Sequence, residues 1–89
     1  MTELAEDRLK RLRIRSWRRG TKEMDLILGR WSDVHLATLD DTDIETYDAM
    51  LSENDHDLYQ WVTGQAETPE RFRAMIDRIA REATGLPHA

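Results

Sequence analysis

The chain has 89 residues, no cysteine and a formal net charge of −5. A chain of this length has room for one small domain, which buries only about 60 to 65% of the surface that its unfolded form exposes. Without cysteine, a disulfide framework, a thiol nucleophile and a thiolate metal site are excluded, so stability has to come from packing.

The charges are distributed unevenly along the chain. Residues 8 to 30 hold nine Lys or Arg and two acids, whereas residues 32 to 70 hold eleven Asp or Glu and no Lys or Arg. The two segments can attract each other within the fold, or they can dock on complementary patches of another macromolecule. The sequence leaves both interpretations open.

No segment indicates secretion or a membrane. The start of the chain lacks the apolar region of a secretory signal, and no stretch approaches the roughly 20 apolar residues that cross a bilayer. Acidic residues come early in the chain, unlike in a mitochondrial presequence. We therefore expect no membrane association and a cytoplasmic location in a bacterium, or the mitochondrial matrix if this is a mature eukaryotic form.

The first helix is predicted over residues 2 to 18 and the second over residues 21 to 36. Apolar residues at helical spacing support the first: Leu9, Leu12 and Trp17. Ile14 fits that face poorly. A clearer 3.6-residue pattern supports the second: Met24, Ile27, Leu28, Trp31 and Val34.

Two shorter helices follow. The acids at residues 40 to 43 supply an N-cap and a favourable first turn for a third helix. Its apolar residues are Ile44, Tyr47, Met50 and Leu51. A fourth helix begins at Asn54 or Asp55 and ends near Gly64, and its apolar residues are Leu58, Trp61 and Val62. We expect the three tryptophans of the chain to belong to the core.

The fifth helix has a Thr68 cap and Pro69 at its first position, and it ends at Gly85 and Pro87. Its apolar residues are Phe72, Met75, Ile76 and Ile79. No segment has the period-two alternation of a strand. The predicted fold is therefore all-α, a compact single-domain bundle of five short helices.

The segment RRGTKEMD, residues 18 to 25, joins the first two predicted helices. Gly20 stands where the first helix has to end, a position that commonly needs left-handed backbone angles. If Gly20 is instead the N-cap of the second helix, Glu23 can bond back to its N–H. Arg18 and Arg19 also have the charge that a helix C-terminus favours. A helix junction alone thus explains much of this segment.

The outer face of the second helix is harder to explain by structure alone. A projection at 100° per residue places four residues opposite the apolar face: Lys22, Leu26, Gly29 and Asp33. A Leu beside a Gly on a solvated face is unfavourable for solubility and helix propensity, and it suits a flat docking surface. Single exposed leucines are nevertheless common. Glu23 lies at the edge of this face, where it can bind Arg19 or Arg30 or remain available to a partner.

Two blocks of sequence resemble one known family. SWRRGTKEMDLILGRW is similar to the signature of the succinate dehydrogenase assembly factors, the SdhE-type flavinylation proteins, with an Arg-Gly-x-x-Glu core at Arg19, Gly20 and Glu23. LSENDHDLYQWVTG resembles the later pattern of that family, which falls here on Glu53, Asp55, Asp57, Leu58, Tyr59 and Trp61. The resemblance covers about residues 10 to 80, flanked by an N-terminus and a C-terminal tail that we expect to be flexible.

The resemblance implies a chaperone-like assembly factor that binds the flavoprotein subunit of succinate dehydrogenase, and that of fumarate reductase as a second client. Such a factor promotes covalent attachment of FAD to a histidine of the client. The implied contact surface contains Arg19, Gly20 and Glu23, and Asp25 belongs to the same signature without an assigned contact. The predicted partner-binding residues are Arg18, Arg19, Gly20, Lys22, Glu23, Asp25 and Leu26.

The chain is not expected to bind FAD alone or to be an enzyme. It contains no GxGxxG phosphate loop, and a small helical bundle lacks the strand-turn-helix cradle that this fingerprint requires. We expect a monomer when it is free, with no metal. The histidines His35, His56 and His88 are far apart in sequence, and the DHD at residues 55 to 57 is better interpreted as a helix cap.

Two alternatives remain at this point. One is an antitoxin-like or other regulatory module that binds a protein, because small acidic helical proteins are typical of that class. The other is a helix-turn-helix nucleic-acid binder that uses the basic first two helices. Two observations disfavour nucleic-acid binding. The acids of residues 32 to 70 repel phosphates, and the sequence pI of about 5.1 is far below that of a typical basic nucleic-acid-binding domain.

Overall fold

The computed structural model describes residues 5–83. The helices in chain order are α1 (Ala5–Trp17), α2 (Lys22–His35), α3 (Asp41–Leu51), α4 (Asp55–Val62) and α5 (Glu70–Glu82), with a 3-10 turn at Leu36–Thr38. The five predicted helices and the all-α class are confirmed, and residues 5–83 contain no strand. The predicted helix start at residue 2, and the predicted helix end at Gly85 and Pro87, lie outside the described residues.

Side-chain caps explain where three of the helices begin. The cap residues of α2, α3 and α4 are Thr21, Asp40 and Asn54, and each accepts a hydrogen bond from a backbone N–H in the first turn. The predicted caps of α3 and α4 are thus confirmed. Pro69 itself occupies the cap position of α5. The prediction of Thr68 as the cap, with Pro69 inside the helix, is therefore one residue too early.

Buried apolar side chains from all five helices form one core. The α2 helix contributes Met24, Ile27, Leu28 and Trp31, and the α5 helix contributes Phe72, Met75, Ile76 and Ile79. Two residues predicted for apolar faces lie outside this core. Val34 is 67% exposed and Trp17 is 38% exposed, while Trp61 is only partly buried. Of the three tryptophans, Trp31 is buried at 4% exposure, and the prediction that all three belong to the core is wrong for Trp17.

The prediction that Gly29 lies on a solvated face is wrong. Gly29 is buried, and a Cβ atom built on it would lie 2.3 Å from Cδ2 of the Trp17 ring. Trp17 also donates a hydrogen bond from Nε1 to Oδ1 of Asp33 at 3.2 Å. Trp17 of α1 thus covers α2 at Gly29, and the absence of a side chain on Gly29 allows the two helices to approach there.

A buried hydroxyl pair joins α1 to α3. Oγ of Ser16 and the hydroxyl of Tyr47 lie 2.6 Å apart, and Oγ of Ser16 also donates to the carbonyl of Leu12 at 2.8 Å. The ring of Tyr47 stacks on that of Trp31, with centroids 5.5 Å apart. Burial raises the pKa of Tyr47 to about 12, although the hydrogen bond with Ser16 acts in the opposite direction. The neutral phenol is therefore part of the core.

The basic and acidic segments pair with each other inside the chain. Asp48 of α3 lies within 4 Å of three arginines of α1: Arg8, Arg11 and Arg15. Burial raises the pKa of Asp48, but the hydrogen bond from Arg15 and the charges of all three arginines outweigh this effect and lower it. Attraction between the two segments, one of the two interpretations of the charge pattern, is thus observed in the fold.

The alkaline stability of the protein should depend on Tyr47. Its folded pKa lies above the ordinary value of 10.0, so its stabilising effect is complete below pH 10 and is lost as the pH rises through about 12. The loss for this group approaches about 2 to 3 kcal/mol of unfolding free energy. We expect the stability difference between wild type and Tyr47→Phe to shrink from pH 8 to pH 11 in urea unfolding. A difference that does not change with pH would contradict the buried phenol.

The close approach of Trp17 to Gly29 predicts that the effect of Gly29→Ala on the unfolding free energy depends on whether Trp17 is present. Gly29→Ala should lower the unfolding free energy by about 1 to 3 kcal/mol, because its methyl group collides with Trp17. In a Trp17→Ala background the collision is absent, and the same change should be neutral or stabilising, since Ala is the better helix former. Urea denaturation of the four proteins measures both effects. Equal costs in the two backgrounds would show that Trp17 does not cover Gly29.

Candidate functional site

The loop between α1 and α2 is held by an arginine whose side chain turns inward. The side chain of Arg19 is only 9% exposed, and that of its partner Asp55 is 15% exposed. Nε of Arg19 donates to Oδ1 of Asp55 at 2.8 Å, and Nη2 lies 2.7 Å from the same oxygen. Because Asp55 is the first residue of α4, this ion pair fixes the loop against that helix.

The same guanidinium group closes the end of α3. Nη1 of Arg19 donates to the carbonyl of Leu51 at 2.9 Å, and Nη2 donates to the carbonyl of Glu53 at 3.3 Å. Carbonyls at a helix C-terminus have no partner within the helix, and the positive charge matches the dipole of that end. Arg19 therefore joins three elements: the loop, the end of α3 and the start of α4.

Backbone N–H groups of the loop are held by two carboxylates. The N–H of Gly20 donates to Oδ2 of Asp55, and the N–H of Arg19 donates to Oδ1 of Asp25 at 2.5 Å. Asp25 lies in the first turn of α2, so the loop is fastened from both sides. This internal hydrogen bond is the contact of Asp25 that the sequence left unassigned.

The structure explains the presence of a glycine at position 20 differently from the prediction. Within residues 5–83 the glycine with positive φ is Gly64, at 77°, so the left-handed conformation predicted for Gly20 is wrong. Gly20 is not the N-cap of α2 either, because Thr21 holds that position. A Cβ atom on Gly20 would lie 2.9 Å from Oδ2 of Asp55. A larger residue at this position would displace the Asp55 carboxylate, so Gly20 permits the close approach of the loop to α4.

Three predicted residues point outward from this fastened loop. Arg18, Lys22 and Glu23 are exposed, and the structure shows no hydrogen bond or ion pair of their side chains within the described part of the chain. Glu23 pairs with neither Arg19 nor Arg30, the two internal partners that the sequence suggested. Its carboxylate is thus available to a partner.

A surface hollow lies beside the loop. It has a volume of about 290 Å³, and its lining residues are Thr21, Glu23, Asp55, His56 and Tyr59. We call it the loop–α4 hollow. Sequence reasoning placed Asp55 and Tyr59 in the second family-like block but did not assign them, or His56, to a site. The available signal was the short spacing between these residues at the start of a predicted helix.

Leu26 does not belong to this group. It is half-buried and lines a separate cavity of about 130 Å³ between α2 and α5, together with Trp31, Val34 and Ile79. The structure therefore brings together Arg19, Gly20, Glu23 and Asp25 of the predicted site, with Arg18 and Lys22 on the adjoining surface. Leu26 instead faces the cavity between α2 and α5.

Two further properties concern the described residues alone. Among residues 5–83, no three or more His, Cys, Asp or Glu side chains form a group that could hold a metal ion. No helix in the same range has the length and apolar character needed to span a membrane. The DHD segment forms the beginning of α4, which agrees with its interpretation as part of a helix start. Asn54 provides the cap.

Known proteins match this chain over most of its length. A family model described as flavinator of succinate dehydrogenase matches residues 10–83. Succinate dehydrogenase assembly factor 2, mitochondrial, from Meyerozyma guilliermondii is 36% identical over 74 residues, which are 80% of this chain and 55% of that protein. The protein of the same name from Candida glabrata is 36% identical over 76 residues, covering 82% of this chain and 50% of the relative. In Dictyostelium discoideum the identity is 29% over 72 residues, 81% of this chain and 51% of the relative.

These matches confirm the family resemblance seen in the two sequence blocks. The chain spans about half the length of the curated relatives described above. Their names place those relatives in mitochondria, which gives no support to the predicted cytoplasmic location.

The ion pair with Arg19 predicts that the negative charge of Asp55 stabilises the fold. Asp55→Asn removes one partner of a largely buried ion pair and should lower the unfolding free energy by about 3 to 5 kcal/mol. Asp57→Asn is the matched control, because Asp57 is an exposed acid in the same first turn of α4. We expect the control to change stability by less than about 0.5 kcal/mol. Similar thermal midpoints for the two variants would contradict the central position of Asp55.

Proposed function

The chain belongs to the family described as flavinator of succinate dehydrogenase, and from that premise we propose that it binds the flavoprotein subunit of succinate dehydrogenase and promotes covalent attachment of FAD to that subunit. The observation that carries this proposal is the loop between α1 and α2. Its backbone is fastened from inside by Arg19, Asp25 and Asp55, while Glu23 faces solvent without an internal partner.

The residues of the family motif have two different roles in the fastened loop. Arg19 and Asp25 act inside the chain, where they set the path of the backbone. Gly20 and Glu23 are exposed and form the surface that the client meets. A surface that is already ordered before binding loses little conformational freedom on association, and this favours affinity. Arg18 and Lys22 extend the same surface with positive charge.

The action proposed for the chain is to fix the geometry of the client. Flavin attachment needs a histidine of the client held close to the flavin, and a bound protein can favour that arrangement by holding a mobile domain of the client in place. This role requires neither a catalytic group of the chain itself nor a flavin site on it. We accordingly propose that the chain binds no FAD alone and shows no turnover without a client. Micromolar binding of FAD in calorimetry would refute this part.

The names of the relatives mention succinate dehydrogenase and not fumarate reductase, so fumarate reductase as a second client remains a prediction. A monomeric free state also remains a prediction. For the nucleic-acid alternative, the basic residues of α1 offer little support, because several of them already form ion pairs with acids of the same chain.

Glu23→Ala tests the proposed docking surface. Removing one partner of a desolvated charge contact costs about 2 to 5 kcal/mol of binding, so we expect the variant to abolish covalent flavin on the client. Glu23 is exposed, so the thermal midpoint should stay within a few degrees of wild type. The measurement is the in-gel flavin fluorescence of the client subunit after denaturing electrophoresis, in cells that contain each variant at equal abundance.

Glu45→Ala is the matched control for that experiment. Glu45 is another exposed glutamate, but it lies on α3 and outside the loop–α4 hollow. We expect normal flavin fluorescence with this control. Normal fluorescence with Glu23→Ala as well would mean that the RRGTKEMD segment is a helix junction and not a docking surface.

A further inference from the structure

We propose that the loop–α4 hollow receives one lysine or arginine side chain of the client flavoprotein. In this arrangement the positive charge of the guest lies against Glu23, and its methylene stem lies along the ring of Tyr59. The inference rests on the proposed function, because it specifies which chemical group the client presents to the site.

The hollow is large enough for one long side chain. Its volume of about 290 Å³ is at the lower limit of the range of about 300 to 1,000 Å³ that is typical of small-molecule sites. Its walls come from two different elements, the start of α2 with Thr21 and Glu23, and α4 with Asp55, His56 and Tyr59. The ion pair of Arg19 with Asp55 holds these walls together. The hollow is therefore preformed by the same contacts that fasten the loop.

The charge of the hollow favours a cationic guest. The carboxylate of Asp55 is already matched by the guanidinium of Arg19 and by the N–H of Gly20. Glu23 has no such match within residues 5–83, so the lining has one unpaired negative charge. A phosphate or a carboxylate from a partner would be repelled by this charge, whereas a lysine or an arginine complements it.

The aromatic wall selects for a long basic side chain over a bare cation. Tyr59 is partly buried and packs against the core, which limits the movement of its ring. An aromatic face attracts Lys and Arg cations, and their methylene stems cover apolar surface while the charged end reaches a polar partner. A carboxylate and an aromatic ring in one hollow together match both parts of such a side chain.

The test is a binding titration with the purified flavoprotein subunit at low and high salt. Glu23→Gln keeps the shape of the side chain and removes its charge, so we expect it to weaken binding about 10- to 100-fold at low salt and to reduce the salt dependence. Tyr59→Leu should weaken binding several-fold, whereas Tyr59→Phe keeps the ring and should bind like wild type. Glu45→Gln, an exposed isosteric change on α3, should also bind like wild type.

The client supplies the second half of the test. Surface Lys and Arg residues of the flavoprotein are replaced one at a time by Gln, and each variant is titrated with wild type and with Glu23→Gln. We expect one client variant to bind the wild-type chain about 10- to 100-fold more weakly than the unchanged client does. The same client variant and the unchanged client should bind Glu23→Gln with nearly equal affinity.

The outcomes separate this inference from the proposed function. If the wild-type chain does not bind the flavoprotein subunit at all, the proposed function fails. If the wild-type chain binds but Glu23→Gln and Tyr59→Leu bind equally well, the function stands and the cationic guest is refuted. The inference is also refuted if binding depends on Glu23 while no Lys or Arg of the client is coupled to it.

Discussion

The ion pair between Arg19 and Asp55 is the contact on which the rest of the site depends. Both side chains are largely buried, and burying a charge is costly unless it is paired and hydrogen-bonded. Arg19 meets this requirement by binding one carboxylate and two carbonyls at the junction of α3 and α4. The geometry that satisfies the charge thereby fixes where the loop runs. The shape of the loop is thus a consequence of the tertiary fold and not of the loop sequence alone.

This arrangement allows eight consecutive residues to form a helix junction and also the proposed docking surface. The helix-junction interpretation accounts for Arg19 and Asp25, whose hydrogen bonds end inside the chain. The docking interpretation accounts for Glu23, which takes part in no described ion pair and shares a hollow with α4. Gly20 belongs to both, because its N–H binds Asp55 while the residue itself remains exposed. The observed helix junction is therefore compatible with the proposed docking role of the same segment.

The sequence was sufficient for the helices but not for their contacts. Helical periodicity and the caps Asp40 and Asn54 are local, so they predict where elements begin and end. The pair of Arg19 with Asp55 spans 36 residues, and no local pattern encodes such a contact. The error at Gly29 has the same cause: a helical projection shows which residues share a face, but it does not show that Trp17 of α1 covers Gly29. The resemblance to a family located the motif, whereas only the fold showed that its arginine turns inward.

The charge pattern of the chain determines what a partner meets at the loop. Many acids of the middle segment are engaged internally, as Asp48 is by three arginines and Asp55 is by Arg19. The charges left at the loop are therefore few and of both signs: Arg18 and Lys22 are positive, and Glu23 is negative. These few exposed charges attract a partner only weakly from a distance, because salt ions screen them beyond a Debye length of about 8 to 10 Å. At contact, the same surface penalises a wrong orientation because like charges would then meet. In the proposed complex, charge at this loop would consequently contribute more to the orientation of the client than to the rate at which the client arrives.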